Sequence, residues 1–406
     1  MKVLVLSPPG LRIIEVLVEG VHLHNPNVEF TVLDSLDVKR KISDSGVKMK
    51  LIETPHFKIS DVSSFKKITK LCSGLFKTGF NWKKGKELAV YECIEIVRKQ
   101  YYSALFKTFD VINVQYLHAS TIDILNFIPK TDKVLLSFWG SDLFRVLEED
   151  KVLKQQKVVE MAKVITLHSI EMQDFLEKKY SNIDLSKLRQ VLFGMSYKII
   201  DNISSMKKES PLLFLEKYNI PSEKMIIKVG YNADEGQQHI EILMELAKLT
   251  TEQKENIHLL VPCTYGGSED YIMKVRHIIS KIGIAHTIFS KFLNDAEVLQ
   301  LSQVSDVMLN LRTTDALNNS MMESLLFENV VVAGSWLPYS LLERSSISIV
   351  SIDSISDIVE EVGKLLFNFE NYRLSMVGNF SKVEKLISNK HQGKVWLGCY
   401  NDIADG

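Results

Sequence analysis

Asp315 and Glu323 stand eight residues apart in RTTDALNNSMMESLLFENVVVAGSW (312–336), with Asn318, Asn319 and Ser320 between them. The three small polar residues read as a turn that opens a helix. The first N–H groups of a helix have no partner within it and attract an anion such as a phosphate. An ionised Glu only accepts hydrogen bonds, so Glu323 on that helix suits the two hydroxyls of a ribose diol. Asp315, just past the preceding strand, is a further carboxylate beside that turn. The stretch KVGYNADEGQQHIEIL (228–243) has a related design. A strand runs into a polar loop and then a helix, which places Gly230, Asn232 and His239 among backbone donors suited to a diphosphate. Lys228 and Lys291 are cations available to a departing diphosphate.

A third constellation is KVLLSFWGSDLFR (133–145), a strand that ends in Trp139, Gly140, Ser141 and Asp142 before an amphipathic stretch. Gly140 permits close backbone approach, and Asp142 is either the cap of the next helix or a ligand to sugar hydroxyls. His118, after the run VINVQYL, and His168 with Ser169, after KVITL, are further acid/base candidates. No GxxxxGK[ST] and no GxGxxG follows the first strand, which removes the main support for P-loop ATPase and dinucleotide dehydrogenase readings. Neither a Ser/His/Asp nor a Cys/His arrangement is identifiable. HExxH is absent, and Cys72, Cys93, Cys263 and Cys399 show no CxxC or Cys/His spacing. The sequence therefore predicts no metal site, no cofactor and no disulfide framework, and it fits a reducing compartment.

Such residues must be held at the ends of strands. Short β-branched runs at 2–7, 28–34, 111–117, 133–138, 163–168 and 189–193 alternate with helical periodicity at 87–105 and 170–180. After a polar stretch a second series follows at 225–231, 257–263, 286–292, 306–311, 330–335 and 346–352, with helical patterns at 239–249 and 296–304 between them. This alternation predicts an α/β chain of two tandem Rossmann-like domains facing a cleft, at 1–205 and 225–370. A linker at 206–224 joins them, and C-terminal helices at 371–406 return toward the first domain.

At 406 residues the chain exceeds one ordinary core, and its 46% hydrophobic and 24% charged content is that of a globular protein. No apolar run is long enough to span a membrane, and MKVLVLSPPG turns too early for a signal peptide, so a cytoplasmic location is expected. The net charge of −1 conceals an asymmetry, because residues 1–200 carry 30 basic and 23 acidic side chains. Seven lysines, among them Lys66, Lys67, Lys70, Lys83 and Lys84, alternate with Trp82 and other apolar residues over 62–86, where no acid occurs. That composition suits a segment lying on the anionic inner face of a membrane, so a peripheral association is expected. The balanced overall charge argues against a nucleic-acid partner.

The tandem Rossmann-like halves with a helical return resemble the GT-B glycosyltransferases. DALNNSMMESLLFENVVVAGS resembles the acidic-x7-Glu region of the large retaining GT-B family, with Glu323 in the position that holds the nucleotide ribose. Asp315 stands where that family usually has Glu, Ala-Leu-Asn-Asn-Ser replaces its Gly-Phe-Gly segment, and Trp139 stands where many retaining members have a His-Gly. FWGSDLFR, VGYNADEGQQHIEIL, LVPCTYGGSEDYIMKVR and FSKFLNDAEVLQLSQVSDV, which cover most of 133–310, are similar to the fucosamine transferase family of enterobacterial common antigen assembly. The resemblance implies metal-independent transfer of a sugar from a UDP-, GDP- or dTDP-linked donor to a lipid-linked or membrane-bound glycan in surface polysaccharide assembly. The donor would lie on the second domain at Glu323, residues 318–320 and the 230–232 loop, and the acceptor on the first. Asp142, His118 and Asp315 are the expected catalytic groups. The acidic-x7-Glu region points to retention of configuration, the four segments to inversion with a carboxylate or His base. A sugar-nucleotide epimerase and a non-catalytic partner subunit of the same fold are the alternatives.

Overall fold

The computed structural model describes residues 1–7, 11–34, 47–53, 57–58, 62–128 and 132–405. Residues 8–10, the Pro-Pro-Gly after the first strand, and the side chain of Phe65 lie outside the described residues. Two parallel sheets are formed. The first has β1 (Lys2–Ser7), β2 (Glu29–Asp34), β3 (Met49–Glu53), β4 (Val111–Gln115), β5 (Val134–Ser137), β6 (Val164–Leu167) and β7 (Leu188–Gln190) in the order β3-β2-β1-β4-β5-β6-β7. The second has β8 (Met225–Val229), β9 (Ile257–Pro262), β10 (Ala285–Phe289), β11 (Val307–Asn310), β12 (Val330–Gly334) and β13 (Val350–Ile352) in the order β10-β9-β8-β11-β12-β13. Strands covered by helices on both faces become continuous apolar runs, and every residue of β4, β9 and β12 is buried.

Strand periodicity sorts the second sheet's side chains between two layers. Ile227, Val229, Val307, Leu309, Val330 and Val332 enter one hydrophobic cluster, whereas Met308, Val331 and Ala333 enter another on the opposite face. Ile226 also points away from the first cluster and packs with Phe214, Leu260 and Phe289. Lys228, two residues on, shares that face and is carried into the interior with it.

The chain divides into two compact units, residues 1–167, 175–191 and 393–406 in one and 168–174 and 192–392 in the other. The expected boundary at 205 therefore falls at 191. The stretch 206–224 is not a linker but part of the second unit, where Leu212–Tyr218 is a helix that buries Phe214 and Leu215. Its prolines flank that helix, since Pro211 stands at the cap position and Pro221 follows its left-handed terminus at Asn219. The C-terminal return starts at 393 rather than 371, because the helices Ile358–Met376 and Asn379–Ile387 belong to the second unit. In the first unit Trp396 and Tyr400 are buried, and Tyr400 Oη accepts a 2.7 Å hydrogen bond from Asn113 Nδ2 of β4. Gly393 lies against the Gly20 backbone so closely that a Cβ there would sit 2.7 Å from Gly20 Cα.

Candidate functional site

In the second sheet the connections leave β8 and β11 in opposite directions, so these neighbours form the switch point at which open α/β sheets bind ligands. The loops that follow them meet there. Thr313 N donates to Gly236 O at 3.0 Å, and Gln238 Nε2 donates to Leu311 O at 2.6 Å. Gly230 starts the first loop at φ +66°, and a side chain there would meet Gln237 Oε1 at 2.9 Å, so only glycine lets this loop fold back on itself. The loop after β9 joins them. Ala233 N donates to Tyr265 O at 2.7 Å, and a Cβ on Gly267 would lie 2.8 Å from Ala233 Cβ and 2.9 Å from its carbonyl carbon.

Arg312 is the cation of this crevice, and it is 7% exposed. Its guanidinium donates to Tyr231 Oη and, at 3.3 Å, to Asp234 Oδ1, and it lies 5.2 Å from the centre of the Tyr231 ring. Trp336 Nε1, from the loop after β12, donates to the Arg312 carbonyl at 2.7 Å. Burial is the main cause of a raised Tyr231 pKa, so this phenol stays protonated at neutral pH.

Asp315 lies beside the N-terminus of the helix Asn319–Leu326. Its Oδ2 accepts from Asn318 Nδ2 at 2.8 Å, from Asn318 N at 3.2 Å and from the buried Tyr339 hydroxyl. Tyr339 Oη in turn accepts from Asn310 Nδ2 at 2.6 Å, and burial holds its pKa well above the ordinary value. Asn318 caps the helix, its Oδ1 accepting from Met321 N at 2.8 Å. Asn318 and Asp315 therefore build the turn, while Asn319 and Ser320 occupy the first helical positions, where N–H groups have no partner within the helix.

The remaining second-unit candidates divide by burial. Glu323 begins the second helical turn and is half-buried. Lys228 is buried, and its Nζ donates to Ser302 Oγ at 2.9 Å, Ser324 Oγ at 2.8 Å and Ser320 Oγ at 3.4 Å. Burial pushes its pKa down to about 8, opposed by the charge of Glu323. Lys228 thus braces the helix from beneath instead of reaching a ligand as expected, because strand alternation assigns it to the covered face. His239 is likewise buried and pushed down to about 4 by desolvation, so it is a neutral imidazole, with Nδ1 3.3 Å from Tyr271 Oη and Nε2 turned toward Gly230. Asn232 Oδ1 accepts from Asp234 N at 3.1 Å and Gln237 Nε2 at 2.8 Å, shaping the loop. Lys291 follows β10, the edge strand two places from β8, and is exposed.

In the first unit the switch point lies between β1 and β4. Asp142, one strand further along beyond β5, is buried as a clamp rather than exposed as a catalyst. Oδ2 accepts from Leu117 N at 2.8 Å, and Oδ1 accepts from Trp139 N at 2.9 Å and Gly140 N at 3.1 Å, which ties together the loops after β4 and β5. Burial pushes its pKa up to about 6 against those three donors, so it is ionised at neutral pH and committed to backbone. Gly140, at φ 110°, makes the turn that delivers its own N–H. Trp139 Nε1 donates to Gln115 Oε1 at 2.9 Å, extending the Asn113–Tyr400 pair toward the strand ends, since Gln115 Nε2 donates to Asn113 Oδ1 at 2.9 Å. His118 is exposed beyond β4 and caps the helix Ala119–Leu125, its Nδ1 accepting from Ser120 N at 3.2 Å. His168, in the second unit, is buried edge-on against Phe193 and is pushed down to about 4 by desolvation.

The structure therefore gathers Gly230, Asn232, Asp315, Asn318, Asn319 and Ser320 around one crevice. It adds Arg312, Tyr231, Asp234, Trp336 and Tyr339, which sequence reasoning passed over. Arg312 alone had a visible signal, as a cation directly after the β11 run.

No family model matches the sequence, and no curated protein matches it. Solved structures do match in fold. A glycosyltransferase from Rickettsia africae superposes with a TM-score of 0.70 at 13% identity, over 99% of this chain and 98% of that one. HepE of Anabaena, in complex with UDP and glucose, gives 0.66 at 9% identity over 98% of each chain. Sucrose-phosphate synthase from Thermosynechococcus elongatus gives 0.67 at 12% identity over 99% of this chain and 98% of that one. The fold is thus that of the GT-B glycosyltransferases, two parallel Rossmann-like sheets with helices.

Proposed function

We propose that the chain is a glycosyltransferase that moves a sugar from a nucleoside diphosphate donor to a saccharide acceptor linked to lipid or membrane in surface polysaccharide assembly. The observation that carries the donor half is the convergence, at the β8/β11 switch point, of Arg312, the 230–236 loop and the N-terminus of the helix Asn319–Leu326. A diphosphate needs positive charge and N–H donors fixed before it arrives, and both are built here by residues already hydrogen-bonded in place. Glu323 offers its carboxylate to the ribose diol. HepE, a structural neighbour, has been crystallised with UDP and with UDP-glucose, which supports a uridine nucleotide as the first donor to test. The lipid-linked acceptor, assigned in this reading to the first unit, rests on the likeness of four segments to the fucosamine transferase family, of which FWGSDLFR alone lies in that unit.

In the reaction the bond from the anomeric carbon to the diphosphate oxygen breaks with its electron pair on the phosphate, and the acceptor hydroxyl oxygen bonds to that carbon. The hydroxyl proton passes to a base, for which exposed His118 is the candidate: it takes the proton at Nδ1, its one lone pair in the neutral ring, and gives up the cap bond from Ser120 N as it does so. Arg312 and the helix N–H groups meet the charge on the leaving group, so transfer in this reading survives EDTA. The test is thermal stabilisation by UDP, GDP, dTDP and their sugars, followed by transfer to lipid-linked oligosaccharides. Arg312→Ala should abolish the nucleotide response, and His118→Ala should spare it while stopping transfer. No response to any nucleotide would remove this reading in favour of the non-catalytic partner.

A further inference from the structure

The lysine-rich segment forms a helical hairpin whose tip is built against the usual rules of a protein surface. The helices Ser64–Lys77 and Trp82–Phe106 cross at Gly74 and Gly85, where a Cβ on Gly74 would stand 2.5 Å from Gly85 O, so the two arms are held closely side by side. The turn between them is fully specified. Thr78 N donates to Gly74 O at 3.1 Å, Phe80 N to Leu75 O at 2.7 Å, and Asn81 Oδ1 caps the second helix by accepting from Lys84 N at 3.1 Å. Within this ordered turn Phe80 sits at φ 62°, a left-handed conformation that sterics disfavour for so bulky a residue, and yet it is 76% exposed. Phe76, 77% exposed, meets its ring edge-on at 6.5 Å, and Trp82 is 61% exposed. Ile68, Cys72 and Phe76 continue an exposed stripe at helical spacing.

Lysines line both arms, with Lys83, Lys84 and Lys86 next to the tip and Lys66 and Lys67 about 15 Å from it in the first turn of the first helix. Lys70 and Lys77 both bind Glu92, at 3.0 and 2.8 Å, and so are absorbed by the hairpin itself. Lys66, Lys67, Lys83, Lys84 and Lys86 stand on the same two helices, and no acid occurs between residues 62 and 86. An aromatic wedge flanked by lysines complements the headgroup layer of an anionic bilayer, where rings enter the apolar boundary and ammonium groups stay among the phosphates.

We infer that this hairpin tip docks the protein on an anionic lipid surface, with Phe76, Phe80 and Trp82 inserted and Lys83, Lys84 and Lys86 against the headgroups. The inference rests on the membrane-side acceptor of the proposed function but is tested without it. The full chain is floated with vesicles of phosphatidylcholine alone and with roughly a third phosphatidylglycerol. Binding is expected only to the anionic vesicles and should weaken with added salt. Phe80→Gly suits the left-handed turn, so it should fold at least as well as the natural chain while losing vesicle affinity on the order of tenfold. Phe76→Ser with Trp82→Ser should deepen that loss, and replacing Lys83, Lys84 and Lys86 by Gln should erase the preference for anionic lipid. Equal binding by the natural chain and the folded Phe80→Gly variant would overturn the inference. So would a concentration-dependent dimer, seen by light scattering, that Phe80→Gly dissolves while no vesicles are bound. A retained nucleotide response alongside either result would leave the proposed transfer standing.

Discussion

Gly267 and Gly393 offer a matched pair of perturbations, one beside the candidate donor site and one in the other unit. A Cβ on Gly267 would stand 2.8 Å from Ala233 Cβ and 2.9 Å from its carbonyl carbon, and a Cβ on Gly393 would stand 2.7 Å from Gly20 Cα. Carbon atoms in contact rest at about 3.5–4.0 Å, and the Ala233 and Gly20 carbonyl oxygens lie nearer still, so either alanine must push backbone aside by more than about 1 Å. Overpacking of this kind costs about 1–3 kcal/mol, and each unit has about 200 residues, so either variant should melt about 2–12 °C lower. The two should part company over ligand. Gly267→Ala displaces the 230–236 loop from the β9 side, and losing one or two hydrogen bonds to the charged diphosphate, about 1.5–3 kcal/mol each, weakens binding on the order of a hundredfold. With UDP at about one hundred times its natural dissociation constant, stabilisation near 2.7 kcal/mol, some 5–11 °C, should shrink to about 0.4 kcal/mol, 1–2 °C. Gly393→Ala should keep the full shift. The assay is a thermal melt of all three chains across a UDP titration. A destabilised Gly267→Ala chain that answers UDP like the natural one would refute placing the diphosphate at this loop.

Acid should act differently on the two units. His168, His239 and His258, all in the second unit, are pushed down to about 4 from 6.5 by burial, so the unfolded chain takes up protons that the native unit refuses. Stability is complete above pH 6.5 and lost as pH falls toward 4, at about 1.4 kcal/mol per pH unit for each histidine. Asp142, in the first unit, has the opposite sign, because its pKa is raised to about 6 and the native form holds the proton that the unfolded form has released. Hydrogen exchange followed by mass spectrometry at pH 7 and pH 5 should therefore show the second unit opening first. Asp142→Asn replaces one accepting oxygen by an amide donor facing backbone N–H, and should lower stability by about 3 kcal/mol in urea melts at pH 7. Tyr339→Phe removes the hydroxyl between Asn310 and Asp315, and should cost about 1–2 kcal/mol and weaken UDP binding measured by calorimetry.

The sheets were legible because their strands are covered on both faces. IHLLVP of β9 cannot be mistaken when all six residues are buried. MKLIE of β3 escaped, since it is an edge strand with no fully buried residue and its sequence lacks the apolar run that marks a central strand. Helix starts were legible where small polar residues cap them, as Asn318 does, because capping depends on neighbours a few positions away. The partners of Arg312 were not. Tyr231 lies 81 residues before it and Trp336 24 after, and only the adjacency of β8, β11 and β12 brings them together. Lys228 and Asp142 looked like ligands for the same reason. A charged residue at a strand end faces either a ligand or a neighbouring backbone, and local sequence does not say which.

The closing of the first unit by residues 393–404 has a consequence for biosynthesis. Tyr400, Trp396 and Gly393 complete a layer whose other members, β4 and the helix bearing Gly20, leave the ribosome first. About 200 residues of the second unit must be translated in between, which at ribosomal speeds takes roughly 10–40 s. During that interval the nascent first unit presents an uncovered apolar seam to holdase chaperones, and its maturation is gated by the completion of its neighbour.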